Sequence, residues 1–459
     1  MKFGVIGSGP CGAFAALRLL QSGFEVDLIE IDNRDSVQKN DLHTELKLNN
    51  EESSAYDVNQ LLKIQIDGRP ATFYRSKVLG GFSGVWGATW DSNIPGEDPS
   101  WTEHYAIATR YMRSSLTSSP GSLREGEAEI DLVCDCLSFI KNSSSFLIDE
   151  VKETSLAITY GKCSCLVTGK SFCNHGSIWS SLSLIEECKK FEKFRLISGV
   201  DVNSVSIADH IKIVSGEKIS ENYDSIILGA GPLGVSEILL NSFEKIQSIH
   251  LSETRMGYAP YFKYKLNSGH RGAFAFSKYR LDLKNSQREV SAHVQLYVHS
   301  ELYLDRIKGK IPKPLKALSS IALKALTPHM GIALFYISSA MSESMEVSIN
   351  NSSRQLDIKT RKAKNSRYSV MKEIKLKISG LGMKQFLPSF LMAKVGESYH
   401  LGAAENLLDE FGFLKIDRRV SVAGSFALPQ IIPGPITHAA MAQTSRLVER
   451  IIHQNLERI

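Results

Sequence analysis

Lys2-Phe3-Gly4-Val5-Ile6-Gly7-Ser8-Gly9-Pro10-Cys11-Gly12 is the stretch that decides the fold of this chain. A short apolar run of strand type passes through a Gly-x-Gly-x-x-Gly turn into residues 13–22, where apolar residues recur at helical spacing. In such a turn the first glycine permits the bend, the second lets a pyrophosphate approach the backbone, and the third lets the helix pack closely on the strand. The motif therefore predicts a dinucleotide site at the start of a helix, where free N–H groups face the phosphates.

An acidic residue follows at the distance that this fold requires. A second predicted strand, residues 25–29, ends at Glu30, about 20 residues after the glycines. A carboxylate there can accept hydrogen bonds from both hydroxyl groups of an adenosine ribose. Strand, turn, helix and carboxylate together predict a nucleotide-binding α/β fold, but they do not choose between NAD and FAD.

Length and composition restrict the function classes. The 459 residues, 43% of them hydrophobic and 22% charged, predict a soluble globular protein of about two or three domains. The net charge of +5 is too small to argue for nucleic acid as a partner. Because the first strand begins at the second residue, we expect no signal peptide and a cytoplasmic location. The seven cysteines are then expected to be reduced thiols.

A second glycine-rich segment, residues 74–87, follows a polar stretch. Its glycine density suits a backbone pressed against a flat ring or a pyrophosphate. Here the sequence resembles the glucose-methanol-choline (GMC) oxidoreductases. Their first signature matches this chain at Arg75, Lys77, Leu79, Gly80, Gly81 and Ser83. Trp86 looks most like the pyranose-oxidase and other sugar-oxidising members.

The resemblance implies FAD as the cofactor. Val85 stands where the sugar-oxidising branch can carry a histidine bonded to the flavin, so we expect the FAD to be held non-covalently. The residues that the motifs and the resemblance assign to cofactor binding are Gly7, Gly9, Pro10, Cys11, Gly12, Glu30, Lys77, Gly80, Gly81, Ser83, Gly84, Trp86, Val202, Gly231, Gly424, Ser425 and Pro435.

The C-terminal residues resemble the closing block of the same family. It comprises a histidine motif around His400, a strand that ends in a small-residue turn at 424–425, and a proline-rich start of a final helix at 433–438. The resemblance implies that His400 lies beside the substrate hydroxyl as the base. The family's second catalytic position falls at Gly434 or Pro435, so His438, one turn later, is the candidate for the second catalytic residue.

The fold class predicted is α/β, with a Rossmann-like FAD-binding domain interleaved with an α+β substrate domain. The FAD-binding domain has a central parallel sheet with helices and an antiparallel meander, and the substrate domain is built on an antiparallel sheet. Period-two alternation over residues 250–305 and 345–379 predicts that antiparallel sheet. The domain ranges are 1–100, 190–245 and 395–459 for FAD binding, and 101–189 and 246–394 for the substrate.

A glycine turn at residues 229–234 resembles a second nucleotide loop. No strand that ends in an acidic residue follows it at the right distance, so it is predicted to return to the first sheet and not to form a second dinucleotide site.

Two segments leave alternatives open. Thiolates and an imidazole at Cys163, Cys165, Cys173 and His175 can bind zinc or an iron–sulfur cluster, but their spacing is tighter than usual, so reduced structural thiols are favoured and no metal is predicted. Residues 306–324 carry six basic residues among leucines and isoleucines, which suits an anionic membrane surface. Pro312 and Pro314 interrupt any long helix there and favour a solvated segment.

The function predicted is an FAD-dependent oxidoreductase that transfers hydride from a CH–OH group of a sugar or related alcohol to flavin N5, with His400 as base. The alternatives are a flavoprotein with non-redox, mutase-like sugar chemistry and a membrane-docking module with structural FAD. The partners expected are a small-molecule sugar or sugar conjugate and an unidentified electron acceptor, with no nucleic acid and a candidate peripheral membrane contact through residues 306–324.

Overall fold

The structure is a computed structural model. It describes residues 1–32, 60–84, 86–90, 99–115, 151–158, 178–216, 218–263, 277, 279–284, 290–297, 330–350, 352, 355–363, 368–380, 383–385, 391–393, 395, 401–402, 404 and 406–456.

The described strands and helices have the following bounds. The strands are β1 Lys2–Ile6, β2 Glu25–Ile29, β3 Gln60–Ile66, β4 Arg69–Arg75, β5 Val151–Glu153, β6 Phe194–Ile197, β7 Ser204–Ile207, β8 Ile211–Ser215, β9 Lys218–Tyr223, β10 Ser225–Leu228, β11 Ile249–Glu253, β12 Arg255–Lys263, β13 Tyr279–Lys284, β14 Val290–Tyr297, β15 Met330–Ile337, β16 Ser344–Ile349, β17 Leu356–Arg361, β18 Met383–Gln385, β19 Leu391–Met392, β20 Leu401–Gly402 and β21 Val420–Val422. The helices are α1 Pro10–Gln21, α2 Pro99–Ser115, α3 Leu182–Cys188, α4 Gly231–Ser242, α5 Tyr368–Gly380 and α6 Thr437–Leu456.

A five-stranded parallel sheet forms the first layer, in the order β21-β10-β1-β2-β6. Ile6 at the end of β1 lies opposite both Ile29 and Leu228. The carboxyl ends of these three strands therefore lie side by side, as parallel pairing requires. This register brings the residues that follow them, Gly7, Glu30 and Gly229, to one edge of the sheet, where open α/β sheets bind ligands. The predicted return of the Gly229 turn to the first sheet is confirmed.

Helix α1 follows the nucleotide loop directly. Gly9 is its N-cap and Pro10 its first residue, a position where the missing proline N–H costs nothing. A Cβ atom on Gly12 would lie 1.9 Å from the carbonyl oxygen of Gly7, so only glycine lets the helix start so close to the loop. The helix buries most of its apolar side chains in the core shared with the sheet.

Two larger sheets and a meander complete the fold. The six-stranded sheet has the order β20-β11-β16-β17-β3-β4, and the seven-stranded sheet has the order β18-β12-β15-β14-β13-β5, with β19 also paired to β12. The seven-stranded sheet and the meander β7-β8-β9 are antiparallel throughout, whereas the six-stranded sheet contains the parallel pair β17-β3. The predicted fold class, a parallel nucleotide sheet with an antiparallel meander and an antiparallel sheet in the remainder, is confirmed.

Two stretches differ from the predicted strands. Part of the segment 345–379 is helix α5, in which Val370, Ile374 and Ile378 recur at four-residue spacing and are buried against the seven-stranded sheet. Three buried apolar residues at this spacing define one face of a helix. The period-two pattern predicted strands here because it did not take this spacing into account. The alternation of residues 194–207 predicts one strand, but the stretch forms β6 and β7 in different sheets, and the chain between them passes through Gly199 at a φ of 76°.

The packing also bears on the predicted domain ranges. The range 101–189, predicted for the substrate domain, contains α3 and all of α2 except its first residues. Helix α2 nevertheless contacts α6, and α3 contacts α1, both of which lie in ranges predicted for FAD binding. Strands β3 and β4, from the range 1–100, join the six-stranded sheet through β17. The exact division into domains stays a prediction. Among the helices within the described ranges, none combines the length and apolar character that a membrane span needs.

Candidate functional site

A cavity of about 530 Å³ lies at the carboxyl edge of the parallel sheet. One wall comes from the nucleotide loop, from residues 229–234, and from the turn 423–426 with the start of α6. Another part of the wall comes from three strands of the seven-stranded sheet. Its side chains are Met256, Tyr258, Gln295, Tyr297, Leu334 and Tyr336. The cavity thus joins the two halves of the fold, with an apolar lining and few polar groups, as ligand sites generally have.

The backbone at Gly9 leaves space that a phosphate group fits. A Cβ atom built on Gly9 would meet no other atom within 4 Å, although Gly9 lines the cavity. Its φ of −59° and ψ of 176° suit any residue, so the glycine is not there to relieve backbone strain. The free amides at the start of α1 face the same region, and they favour an anionic group.

Glu30 lies on the cavity wall. Its carboxylate accepts hydrogen bonds from the backbone N–H of Ser8 and of Ile31, each at 2.8 Å. These two bonds fix the carboxylate at the end of β2, and each oxygen still has a lone pair for a ligand hydroxyl. The apolar side chains of Phe73, Val202 and Ile238, which also line the cavity, suit a flat base beyond it.

The second glycine cluster packs directly on the nucleotide loop. The N–H of Gly80 donates to Ser8 Oγ at 2.8 Å. Gly80 and Gly81 have φ values of 88° and 61°, which disfavour other residues. Gly81 lines the cavity beside Gly9, whereas Gly80 holds the two loops together.

A buried network of hydroxyl groups holds this arrangement. Ser83 Oγ donates to the carbonyl oxygen of Gly80 at 2.6 Å and accepts from the N–H of Ser181 at 3.0 Å. Ser181 Oγ lies 2.9 Å from the same Gly80 oxygen and 3.1 Å from the carbonyl oxygen of Ser8. Sequence reasoning missed Ser181, because its distance from the glycine motifs along the chain gives no local signal.

The structure brings most of the predicted cofactor residues together. Those on the cavity wall are Gly7, Gly9, Pro10, Cys11, Glu30, Gly81, Ser83, Trp86, Val202, Gly231, Gly424, Ser425 and Pro435. Four others lie outside the lining, namely Gly12, Lys77, Gly80 and Gly84. Gly12 and Gly80 are needed for packing of the loops, and Gly84 is exposed.

The cavity carries a neutral thiol next to the turn at Gly424. Burial raises the pKa of Cys11 to about 12, opposed by a hydrogen bond with Thr444. A Cβ atom on Gly424 would lie 3.4 Å from Cys11 Sγ. The raised pKa disfavours the thiolate, and the contact with the turn gives Cys11 a packing role.

His438 is placed behind the cavity wall and not on it. Its ring stacks on Trp90 with a centroid distance of 4.4 Å. Its Nε2 atom lies 3.0 Å from the carbonyl oxygen of Tyr105 and 2.9 Å from Thr109 Oγ1. The preceding residue, Thr437, does line the cavity, so the helix start faces the cavity while the imidazole points into an aromatic core. His438 is therefore absent from the described cavity wall, and its role as the second catalytic residue stays a prediction.

Several predicted features lie outside the described residues. They are His400, Val85, the cysteine and histidine set Cys163, Cys165, Cys173 and His175, and the basic segment 306–324. Leu401, which follows His400 directly, is described and lies on the cavity wall.

The polar residues of β14 were not among the predicted site residues. Gln295 and Tyr297 line the cavity, and His293 lies two residues before Gln295 on the same strand. The signal was present in the sequence, because three polar side chains at alternate positions of an otherwise apolar strand must share one face.

Comparison with known proteins gives similarity in structure alone. The sequence matches no protein-family model and no curated protein. Pyridoxine 4-oxidase from Mesorbium loti has a TM-score of 0.65 and 14% identity, over 98% of this chain and 99% of that chain. A formate oxidase has a TM-score of 0.65 and 12% identity, over 99% of this chain and 98% of that chain. A variant of the Aspergillus oryzae RIB40 formate oxidase, studied for its effect on FAD modification, has a TM-score of 0.66, 12% identity and the same coverage. The chain therefore shares its fold with these oxidases over nearly its whole length.

Proposed function

We propose that this chain is an FAD-dependent oxidoreductase of GMC type that oxidises a CH–OH group of a small alcohol. The observation that carries the proposal is the single cavity shared by the nucleotide loop and the seven-stranded sheet. One end has the space at Gly9 and the carboxylate of Glu30, which suit a dinucleotide. The other end has a wall with tyrosine and glutamine side chains, which suits a small polar substrate.

The residues present fit FAD. The space over Gly9 and the start of α1 would take the pyrophosphate, and Glu30 would take the ribose hydroxyls. The turn at Gly424 and the start of α6 would face the flavin ring, where the positive end of a 20-residue helix favours negative charge. We propose that the FAD is held non-covalently, because the side chain of Val85 has no group that can bond to it.

Bound flavin would supply the acceptor for the hydride that leaves the alcohol carbon. The chain must then take the hydroxyl proton, because an unassisted alcohol is too weak an acid at neutral pH. We propose that His400 is this base, since a histidine pKa near about 6.5 suits the task and such catalysis contributes roughly 10²–10⁴-fold. Its neighbour Leu401 lies on the cavity wall, which supports the assignment.

His438 is proposed to act through packing. The stack on Trp90 and the bond to the Tyr105 carbonyl tie the start of α6 to the aromatic cluster that includes Trp86. In that role His438 would position residues 435–437 on the cavity wall without touching the substrate.

The substrate class proposed is a sugar or a related alcohol, on the resemblance of the segment around Trp86. Pyridoxine is an alternative substrate to screen, because a pyridoxine 4-oxidase shares the fold. Anaerobic mixing of the purified protein with glucose, galactose, glucosamine and pyridoxine tests the proposal. Loss of the oxidised flavin absorbance with one of these alcohols supports it. Turnover of a sugar only after chemical reduction with dithionite would instead support mutase-like chemistry.

The cytoplasmic location and the membrane contact through residues 306–324 remain proposals. Flotation with phosphatidylserine vesicles tests the contact. Binding that is lost when Lys313 and Lys316 are replaced by glutamate would support it, and absence of binding would refute it.

A further inference from the structure

A row of polar side chains follows one face of β14. Successive side chains of a strand point to opposite faces, so His293, Gln295 and Tyr297 share one face. The alternate residues, Ala292, Val294 and Leu296, belong to the apolar core of the seven-stranded sheet. His293 is fully buried and Gln295 is 2% exposed. This row begins inside the sheet and ends on the cavity wall.

The row is joined by consecutive hydrogen bonds that begin at a carboxylate. Asp282 lies opposite His293 on β13, and its Oδ1 atom is 2.6 Å from His293 Nδ1. His293 Nε2 is 3.3 Å from Gln295 Nε2. Tyr297 Oη then donates to Gln295 Oε1 at 2.8 Å.

The charge on Asp282 sets the direction of every bond in the row. Arg280 Nη1 lies 3.7 Å from Asp282 Oδ2, which favours the ionised carboxylate. An ionised carboxylate only accepts, so Nδ1 of His293 carries a proton, and in the neutral imidazole Nε2 is then an acceptor. The Gln295 amide must therefore turn its NH₂ group to His293 and its oxygen to Tyr297. The phenolic O–H of Tyr297 then donates its hydrogen bond to the amide oxygen of Gln295.

The hydroxyl group of Tyr297 lies beside Gly87, a residue of the second glycine-rich segment. A Cβ atom built on Gly87 would be 3.7 Å from Tyr297 Oη, and both residues line the cavity. Since its own proton is directed to Gln295, the oxygen acts toward a ligand as an acceptor.

We propose that Tyr297 is a specificity-determining residue that accepts a hydrogen bond from a hydroxyl or N–H group of the substrate, and that Asp282, His293 and Gln295 fix this polarity. The proposal rests on the proposed function in that it assigns the substrate to this cavity. A site of this kind favours a ligand that carries a donor over the same ligand with the donor methylated, because the methyl ether cannot donate a hydrogen bond to the phenolic oxygen.

The tautomer of His293 can be measured directly. Protein labelled with ¹⁵N-histidine is compared with the His293→Gln variant to assign the signals of residue 293. In the purified protein we expect the neutral imidazole of His293 to carry its proton on Nδ1 and none on Nε2. The Nε2–H form at His293 would overturn the proposal. This measurement does not depend on flavin chemistry, so a chain with the expected tautomer and no bound FAD would refute the proposed function and leave the polarity of the row intact.

Binding of phenol and anisole tests the acceptor role. The two probes are titrated into the holoprotein and followed by the change in flavin absorbance. We expect phenol to bind about tenfold or more tightly than anisole, the ratio that corresponds to one net hydrogen bond. Equal affinities, or no saturable change with phenol, would count against the proposal.

Two variants of Gln295 separate polarity from packing. Gln295→Glu keeps an acceptor for the Tyr297 proton, so the preference for phenol should persist. Gln295→Met has a similar shape but no acceptor, which frees the Tyr297 proton, and the preference should fall to within about threefold. Tyr297→Phe should give the same loss, and the double variant Gln295→Met/Tyr297→Phe no further loss. A preference that survives in Gln295→Met, or that disappears in Gln295→Glu, would overturn the assignment.

Discussion

A Cβ atom on Gly81 would lie 3.1 Å from the Cα atom of Gly9. Two glycine motifs that are far apart in the sequence therefore meet through residues without side chains. Gly81 has a φ of 61°, so its conformation also disfavours other residues. The contact places the second motif over the nucleotide loop, and both line the same cavity. The proposed FAD site depends on this contact.

The first prediction concerns Gly9. Replacing it with valine should abolish FAD binding, because the side chain would fill the space assigned to the pyrophosphate. The backbone angles at Gly9 suit valine, so the fold should be retained. Flavin content per folded protein is the measurement. Gly84→Val is the matched control, since Gly84 is exposed and lies outside the lining. Normal flavin content in Gly9→Val would contradict the assignment of the loop.

The second prediction concerns His400. His400→Ala should bind FAD with an unchanged spectrum but reduce the flavin with substrate at least roughly a hundredfold more slowly, because the hydroxyl proton loses its acceptor. Rapid-mixing measurement of flavin absorbance decides the point. His250→Ala is a suitable control, since that half-exposed histidine pairs with Glu346 on the six-stranded sheet. Near-normal reduction in the His400 variant would remove it as the base.

The third prediction separates His438 from His400. His438→Ala removes a buried ring stacked on Trp90, so it should lower the free energy of unfolding by about 2–3 kcal/mol. Flavin reduction per bound FAD should change by less than about tenfold, since positioning alone is affected. Urea unfolding and rapid mixing give the two values. His453→Ala, at an exposed position of the same helix, is the control for stability. A hundredfold loss of rate with unchanged stability would show instead that His438 reaches the substrate.

The fourth prediction is a pH dependence of stability at Asp27. Burial raises the pKa of Asp27, but hydrogen bonds from Arg195 and Tyr223 outweigh it and leave the pKa below the usual value. The stabilisation is therefore present above the unfolded pKa of about 3.9 and is lost as the pH falls through the lower folded value.

Asp27→Asn should lower the free energy of unfolding at pH 7 by about 1–3 kcal/mol, and the difference from the unmodified protein should shrink at about pH 3. Denaturant unfolding at both pH values measures it. Glu25→Gln is the control, because Glu25 is half-exposed and its only described ion pair is with Lys2 at 3.4 Å. A difference that does not change with pH would contradict the role given to the charge of Asp27.

The local parts of the fold were readable from the sequence. The Gly7–Gly12 motif, the strand ending at Glu30 and the return of residues 225–228 to the sheet all involve short-range patterns with a known geometric reason. Helix α5 was not predicted, because its stretch was assigned by a period-two pattern and its buried residues follow a four-residue spacing.

The parts of the site that depend on contacts distant in sequence were not readable. Ser181 bonds to Ser83 and Gly80 across about a hundred residues, and no local pattern marks it. The direction of the His438 ring also depends on Trp90 and Tyr105, which a motif alignment does not include. The polar face of β14 was visible as a pattern, but only the sheet order shows that it ends at the cavity.

The central claim is that this cavity holds FAD without a covalent bond. The most direct test is to denature the purified protein with acid and to identify the flavin in the supernatant and in the precipitate. We expect a protein with a flavin visible spectrum and a stoichiometric amount of FAD in the supernatant. A colourless protein that takes up no added FAD would contradict the claim, and flavin retained by the precipitate would contradict its non-covalent part.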